Sequence, residues 1–133
     1  MPSLLEANRP VEAFRAGLEL VMAFYEQYAE VLGNLHAQTV YDVDYAVVWR
    51  DKQQEIWRNT RRLVEWLDRE EGLATGWSVE EATDWLWAPS SFVSYNQLAN
   101  ERGWMAEQFI WRIMQTVEKV LLPHEDSIGS QKR

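Results

Sequence analysis

Between Ser78 and Leu122 the chain carries two apolar helical patterns separated by a single turn, Arg102-Gly103-Trp104. Val79, Ala82, Trp85 and Leu86 open the first pattern, and Phe92, Tyr95, Leu98 and Ala99 continue it; Phe109, Ile110, Ile113, Val117, Val120 and Leu121 make the second. Together they present more hydrophobic side chains than one helical hairpin buries within itself. The surplus must be covered by the remaining helices of the chain or by a second copy of the molecule. Ser78 with Glu81 three residues later is a capping-box pattern for the first of these helices, and Glu80 adds charge that suits a helix N-terminus. Pro89 removes a backbone donor inside the pattern and so kinks or restarts the helix, while Pro123 stops the last one.

Two longer patterns precede this stretch. Pro10 suits a first helical position, where its missing N–H leaves nothing unpaired. From there Phe14, Leu18, Val21, Tyr25, Tyr28, Leu32 and Leu35 recur at spacings of four and three, which predicts one helix to about His36 with a weak point at Gly33-Asn34. Asp42 is placed to cap the next helix. Its stripe is Trp49, Gln53, Ile56, Thr60, Leu63 and Leu67, widened by Trp57, Val64 and Trp66. Gln53 and Thr60 either reach into a cavity or lie at the edge of the stripe. Gly72 ends the helix at a position that tolerates left-handed geometry. No alternating strand pattern and no internal repeat occurs, so the fold class is all-α, with four main helices and an extra break near Pro89. Residues 1–9 read as a leader, 10–123 as one helical domain, and 124–133 as a flexible tail.

A chain of 133 residues is long enough for one real core and too short for two. Its 8 tryptophans fill that core, line a cavity or form an interface, since each buries about 150–250 Å². The absence of cysteine removes disulfides, thiolate metal sites and cysteine nucleophiles. No run is apolar enough for a membrane span and no signal-peptide pattern opens the chain, so a cytoplasmic location is the default expectation. A net charge of −8 argues against direct nucleic-acid binding, which depends on neutralising phosphates; the basic run Arg58-Asn59-Thr60-Arg61-Arg62 reads as a solvated face with acidic neighbours at helical spacing. Asp42-x-Asp44 is more simply a cap than a cation site, and His124-Glu125-Asp126 lies in the tail. No Ser/His/Asp grouping, phosphate-cradling loop or helical metal motif appears, so neither a cofactor nor a metal is implied.

The chain resembles the C-terminal ligand-binding and dimerisation domain of the TetR family of transcriptional regulators. The resemblance runs from about Pro10 to Leu122 and rests on three features. These are the long first helix, the Trp-rich helix ending in Glu71-Gly72-Leu73, and Val79-Glu80-Glu81-Ala82 leading through Tyr95-Asn96-Gln97-Leu98 to Glu101-Arg102-Gly103-Trp104. In that family the last segment is the turn between the two dimerising helices. Family members also carry an N-terminal helix-turn-helix domain, for which residues 1–9 leave no room. The expectation is an effector domain without a DNA-reading half, whether a stand-alone protein or a fragment.

The resemblance implies a pocket enclosed by the first three helical segments and a homodimer formed by the last two helices. In that pocket Tyr28, Trp49, Trp57, Trp85, Phe92 and Tyr95 would suit a hydrophobic or aromatic small molecule, with Gln53, His36 and Asn96 as orienting groups. Tight core packing with no cavity is the competing reading. The dimer surface would involve Phe92, Leu98, Trp104, Phe109, Ile113 and Val117. Two other functions stay open. A Trp-lined pocket could position a hydrophobic substrate for cyclisation or proton transfer, or the chain could form heterodimers with a full-length regulator and modulate it.

Overall fold

In the computed structural model, which describes residues 9–123, every regular element is helical and no strand occurs among the described residues. The expected leader, apart from Arg9, and the expected tail with its His124-Glu125-Asp126 lie outside the described residues.

Helix α1 (Pro10–Gln38) opens with Arg9 in extended geometry and Pro10 in the first turn. Its buried residues, among them Phe14, Leu18, Met22 and Tyr25, all come before Tyr28, whose backbone leaves helical geometry (φ −115°, ψ 20°). The interruption therefore falls at Tyr28 rather than at Gly33-Asn34. The helix runs through Gly33 to Gln38 without a second break. No proline or glycine stands at the kink. It coincides with the point where the buried stripe ends: Tyr28 and Leu35 are exposed, and Leu32 is half-buried.

Helix α2 (Val43–Glu71) is capped by Asp42, whose Oδ1 accepts from the N–H groups of Asp44 (2.9 Å) and Tyr45 (3.4 Å). It runs back along α1, and Val64 and Leu67 are its buried members. Gly72 closes it at φ 74°, ψ 154°, an extended left-handed region open essentially to glycine alone. The connection that follows is pinned to the far end of the chain, because the Ala74 N–H donates to the Leu121 carbonyl at 2.7 Å. Arg9 ion-pairs with Glu71 beside it.

Helix α3 (Val79–Trp87) starts at Ser78, whose hydroxyl accepts from the Glu81 N–H at 3.0 Å. Residues 88–91 break the helix around Pro89. Ser91 then caps α4 (Phe92–Asn96), which continues as a π-helical turn, Gln97–Glu101. The Trp104 N–H returns to the Leu98 carbonyl at 3.0 Å, with Gly103 at φ 73° making the turn. Helix α5 (Ala106–Thr116) likewise ends in a π-helical turn, Val117–Leu121.

The apolar surplus between Ser78 and Leu122 is covered in large part within the chain. Phe109, Ile113, Met114 and Val117 pack with Phe92 and Tyr95 against Phe14, Leu18, Met22 and Tyr25 of α1 and Val64 and Leu67 of α2. Burying one such side chain contributes about 1.5–3 kcal/mol before entropy is subtracted. The distal part of the α1–α2 hairpin borders this core without entering it: from residue 26 to residue 63 no residue is fully buried, and Ala29, Leu32, Trp49 and Leu63 pack against the core half-buried.

Candidate functional site

The expected pocket residues separate into two groups. His36, Trp49, Phe92 and Tyr95 come together, but as a run of touching rings. His36 lies 4.8 Å from Trp49, Trp49 lies 6.3 Å from Phe92, and Phe92 lies 5.4 Å from Tyr25. Tyr25 continues at 5.3 Å to Tyr95, which reaches Phe109 at 6.0 Å, and Phe109 reaches Trp104 at 6.1 Å. These spacings are those of packed aromatic pairs, so the run leaves no cavity between its rings: Tyr25, Phe92, Tyr95 and Phe109 are buried, and His36, Trp49 and Trp104 cover them half-buried. Gln53 is half-buried on α2, one turn beyond Trp49, and the Asn96 side chain accepts from the Asn100 side chain one turn later.

Tyr28, Trp57 and Trp85 lie elsewhere. Tyr28 is 41% exposed and packs on Phe24, with its hydroxyl accepting from Gln27 at 3.3 Å. Trp57 stands at the α2–α3 seam, where its indole N–H donates to Asp84 Oδ1 at 2.8 Å and the Arg61 guanidinium sits 5.7 Å from the ring centre. Trp85 is 58% exposed beside Trp77. Among the described residues no group of three or more His, Asp or Glu side chains could hold a metal ion, and Asp42 serves as a cap.

The concavity suited to an apolar molecule is a groove between α1 and α2, of about 390 Å³. Leu20, Phe24, Ile56 and Leu63 form its walls, Gly17 opens its α1 side, and Tyr25 and Ser90 lie at its inner end. No side chain with a formal charge lines it. Its polar groups are largely engaged already. The Thr60 hydroxyl donates to the Ile56 carbonyl at 2.9 Å, and Asn59 Oδ1 accepts from Arg62 at 3.0 Å, which leaves the Asn59 amide N–H groups as donors. The Tyr25 hydroxyl donates to the Ser90 carbonyl at 3.2 Å, and burial pushes this phenol up to about 12, so it keeps its proton. A larger open hollow between α1 and α5, about 730 Å³, is lined by the charged Arg15, Glu19 and Glu107 and by Gln108, together with Ile110 and Trp111.

None of the expected pocket residues lines this groove; Phe14, Leu18, Val21, Tyr25, Ile56 and Leu63 stand in the sequence only as stripe members, and Thr60 as the polar member that either reaches into a cavity or lies at the edge. The available signal was a second stripe on α1, Gly17, Leu20 and Phe24, at spacings of three and four beside the main one.

The residues expected at a dimer surface also divide. Leu98, Trp104, Phe109 and Ile113 line one surface groove of about 160 Å³, together with Leu86, Pro89, Arg112 and Thr116. Phe92, Phe109, Ile113 and Val117 are nonetheless interior, at most 5% exposed, because they pack in the chain's own core, so of the expected dimer residues Leu98 and Trp104 are the half-buried ones. No protein-family model, curated protein or solved structure matches the chain.

Proposed function

We propose that this chain is a small-molecule-binding, self-associating effector domain of the TetR-regulator type, and that its ligand site is the α1–α2 groove. The observation that carries this reading is the groove itself. It is apolar and free of formal charge, and its volume lies within the roughly 300–1,000 Å³ typical of small-molecule sites. The ligand is accordingly an uncharged hydrophobic molecule, since a charged one would lose its hydration with no counter-charge in the wall. The second copy docks on the groove beside Leu98 and Trp104, where apolar side chains line a concave surface. The net charge of −8 favours a role separate from phosphate binding.

The test uses N-phenylnaphthylamine, a neutral apolar fluorophore that brightens when it leaves water. Bound by the wild-type chain, it should lose at least about tenfold in affinity in Phe24→Glu, which places a carboxylate on the groove wall at a half-exposed position, a loss of about 1.4 kcal/mol. Equal binding by the two proteins would remove the groove from consideration. Light scattering at micromolar concentration should give the mass of a dimer; a monomeric mass would count against the second half of the proposal.

A further inference from the structure

The α1–α2 groove and the groove beside Leu98 are separated by one peptide step, because Ser90 lines the first and Pro89 the second. A tertiary hydrogen bond acts at that step. The Tyr25 hydroxyl, in the wall of the first groove, donates to the Ser90 carbonyl at 3.2 Å. This carbonyl belongs to the non-helical interval between α3 and α4. In an unbroken helix the N–H four residues later would satisfy it, but the Ser94 N–H is directed to the Ser91 hydroxyl at 3.3 Å. Tyr25 therefore supplies the donor that the broken helix does not.

The other hydroxyls of the groove are committed to their own turns: Thr60 to the Ile56 carbonyl and Ser90 to the Leu86 carbonyl at 2.6 Å. Exchanging one of those bonds would leave the link between α1 and the turn at Pro89 unchanged, because each joins residues four apart. Exchanging the Tyr25 bond disturbs no helix, since its acceptor lies in the break. An oxygen atom on a molecule seated in the groove thus meets Tyr25 as its exchangeable buried donor, and the Asn59 amide as a second donor at the exposed edge.

Building on the groove reading above, we propose that the Tyr25 hydroxyl exchanges partners, from the Ser90 carbonyl to an acceptor oxygen on an uncharged apolar ligand, and so releases the turn that carries Pro89 into the self-association groove. The ligand class is an apolar ketone, ester or ether; a pure hydrocarbon fills the volume without moving the bond. Ligand occupancy and self-association then form one linked equilibrium. The ligand weakens the dimer, and by reciprocity the dimer binds the ligand less tightly.

The experiment uses the full chain and prodan, a neutral naphthalene ketone whose emission moves to longer wavelength when its carbonyl accepts a hydrogen bond. Saturating prodan should raise the dimer dissociation constant about fivefold or more by sedimentation velocity, the lower end of couplings between linked sites. N-phenylnaphthylamine, which lacks an acceptor oxygen, should bind and leave the dimer unchanged. In Tyr25→Phe prodan should still bind, with its emission shifted to shorter wavelength, and the dimer should no longer respond. A wild-type dimer indifferent to bound prodan overturns the exchange, as does a response that persists in Tyr25→Phe or one that N-phenylnaphthylamine reproduces; each leaves the groove standing as a binding site. Failure of both fluorophores to bind, or a monomer at every concentration, overturns instead the reading on which the exchange rests.

Discussion

At the scale of single residues, Tyr25 is held from both ends. Its ring joins the α1, α4 and α5 aromatics, and its hydroxyl holds the break at Ser90. The phenol is pushed up to about 12 from an ordinary 10.0, with burial as the cause. A raised folded-state value means that the neutral form is favoured in the fold. The resulting stability is fully present below pH 10, and is lost as pH rises through the folded value. An alkaline denaturation series should therefore show stability falling between about pH 10 and 12 by on the order of 2 kcal/mol, a limb that Tyr25→Phe should reduce to what the Tyr95 phenol, also raised by burial, contributes. Asp42 offers a simpler case. Asp42→Ala removes the acceptor for two N–H groups at the start of α2 and should cost about 1 kcal/mol by urea denaturation, while Asp42→Asn should retain most of it. Caps of this kind were legible in the sequence because each depends on residue type and a spacing of two or three positions. The partners of Trp57 were not. The stripe places it on the apolar face, but its tie to Asp84 bridges two helices and has no local signature.

At the scale of elements, the helical periodicities located every major helix and the break at Pro89, since the apolar faces recur strictly enough to leave no competing strand pattern. The kink at Tyr28 was not visible, because nothing in the local residue types opposes helix there. Its position coincides with the end of the fully buried stripe of α1, just past Tyr25. Gly72 is the element boundary most exposed to a test. With φ 74° and ψ 154°, a side chain there meets open space, so the penalty for Gly72→Ala is one of backbone geometry alone. It should amount to about 1–3 kcal/mol, read as a lower midpoint with an unchanged denaturant slope. The candidate site was legible only in part for a related reason. A stripe specifies which side chains face inward, but the distance between facing rings decides whether they enclose a space. Here His36, Trp49, Phe92 and Tyr95 close up on one another, and the space opens one stripe away, beside Gly17, Leu20 and Phe24.

At the scale of the whole molecule, stability is distributed unevenly. The core gathers around the first half of α1, the end of α2, and α3 to α5, whereas residues 26 to 63 contain no fully buried side chain. Hydrogen exchange should follow this division. Amides of the distal hairpin, near Leu35 and Val47, should exchange through local opening, and those near Met22, Val64 and Met114 only with global unfolding; uniform protection along α1 would contradict it. The contacts of the opposite pole carry a different consequence. Arg9 is tied to Glu71, Leu121 is tied to Ala74, and Glu71 and Ala74 are three positions apart. The first and last helices therefore begin and finish side by side, away from the hairpin tip at Tyr41, along a helix whose 29 residues span roughly 43 Å if straight. Dyes attached near Arg9 and Leu122 should transfer energy efficiently to each other and far less to one at Tyr41, so a short linker could join those two positions without spanning the length of the hairpin.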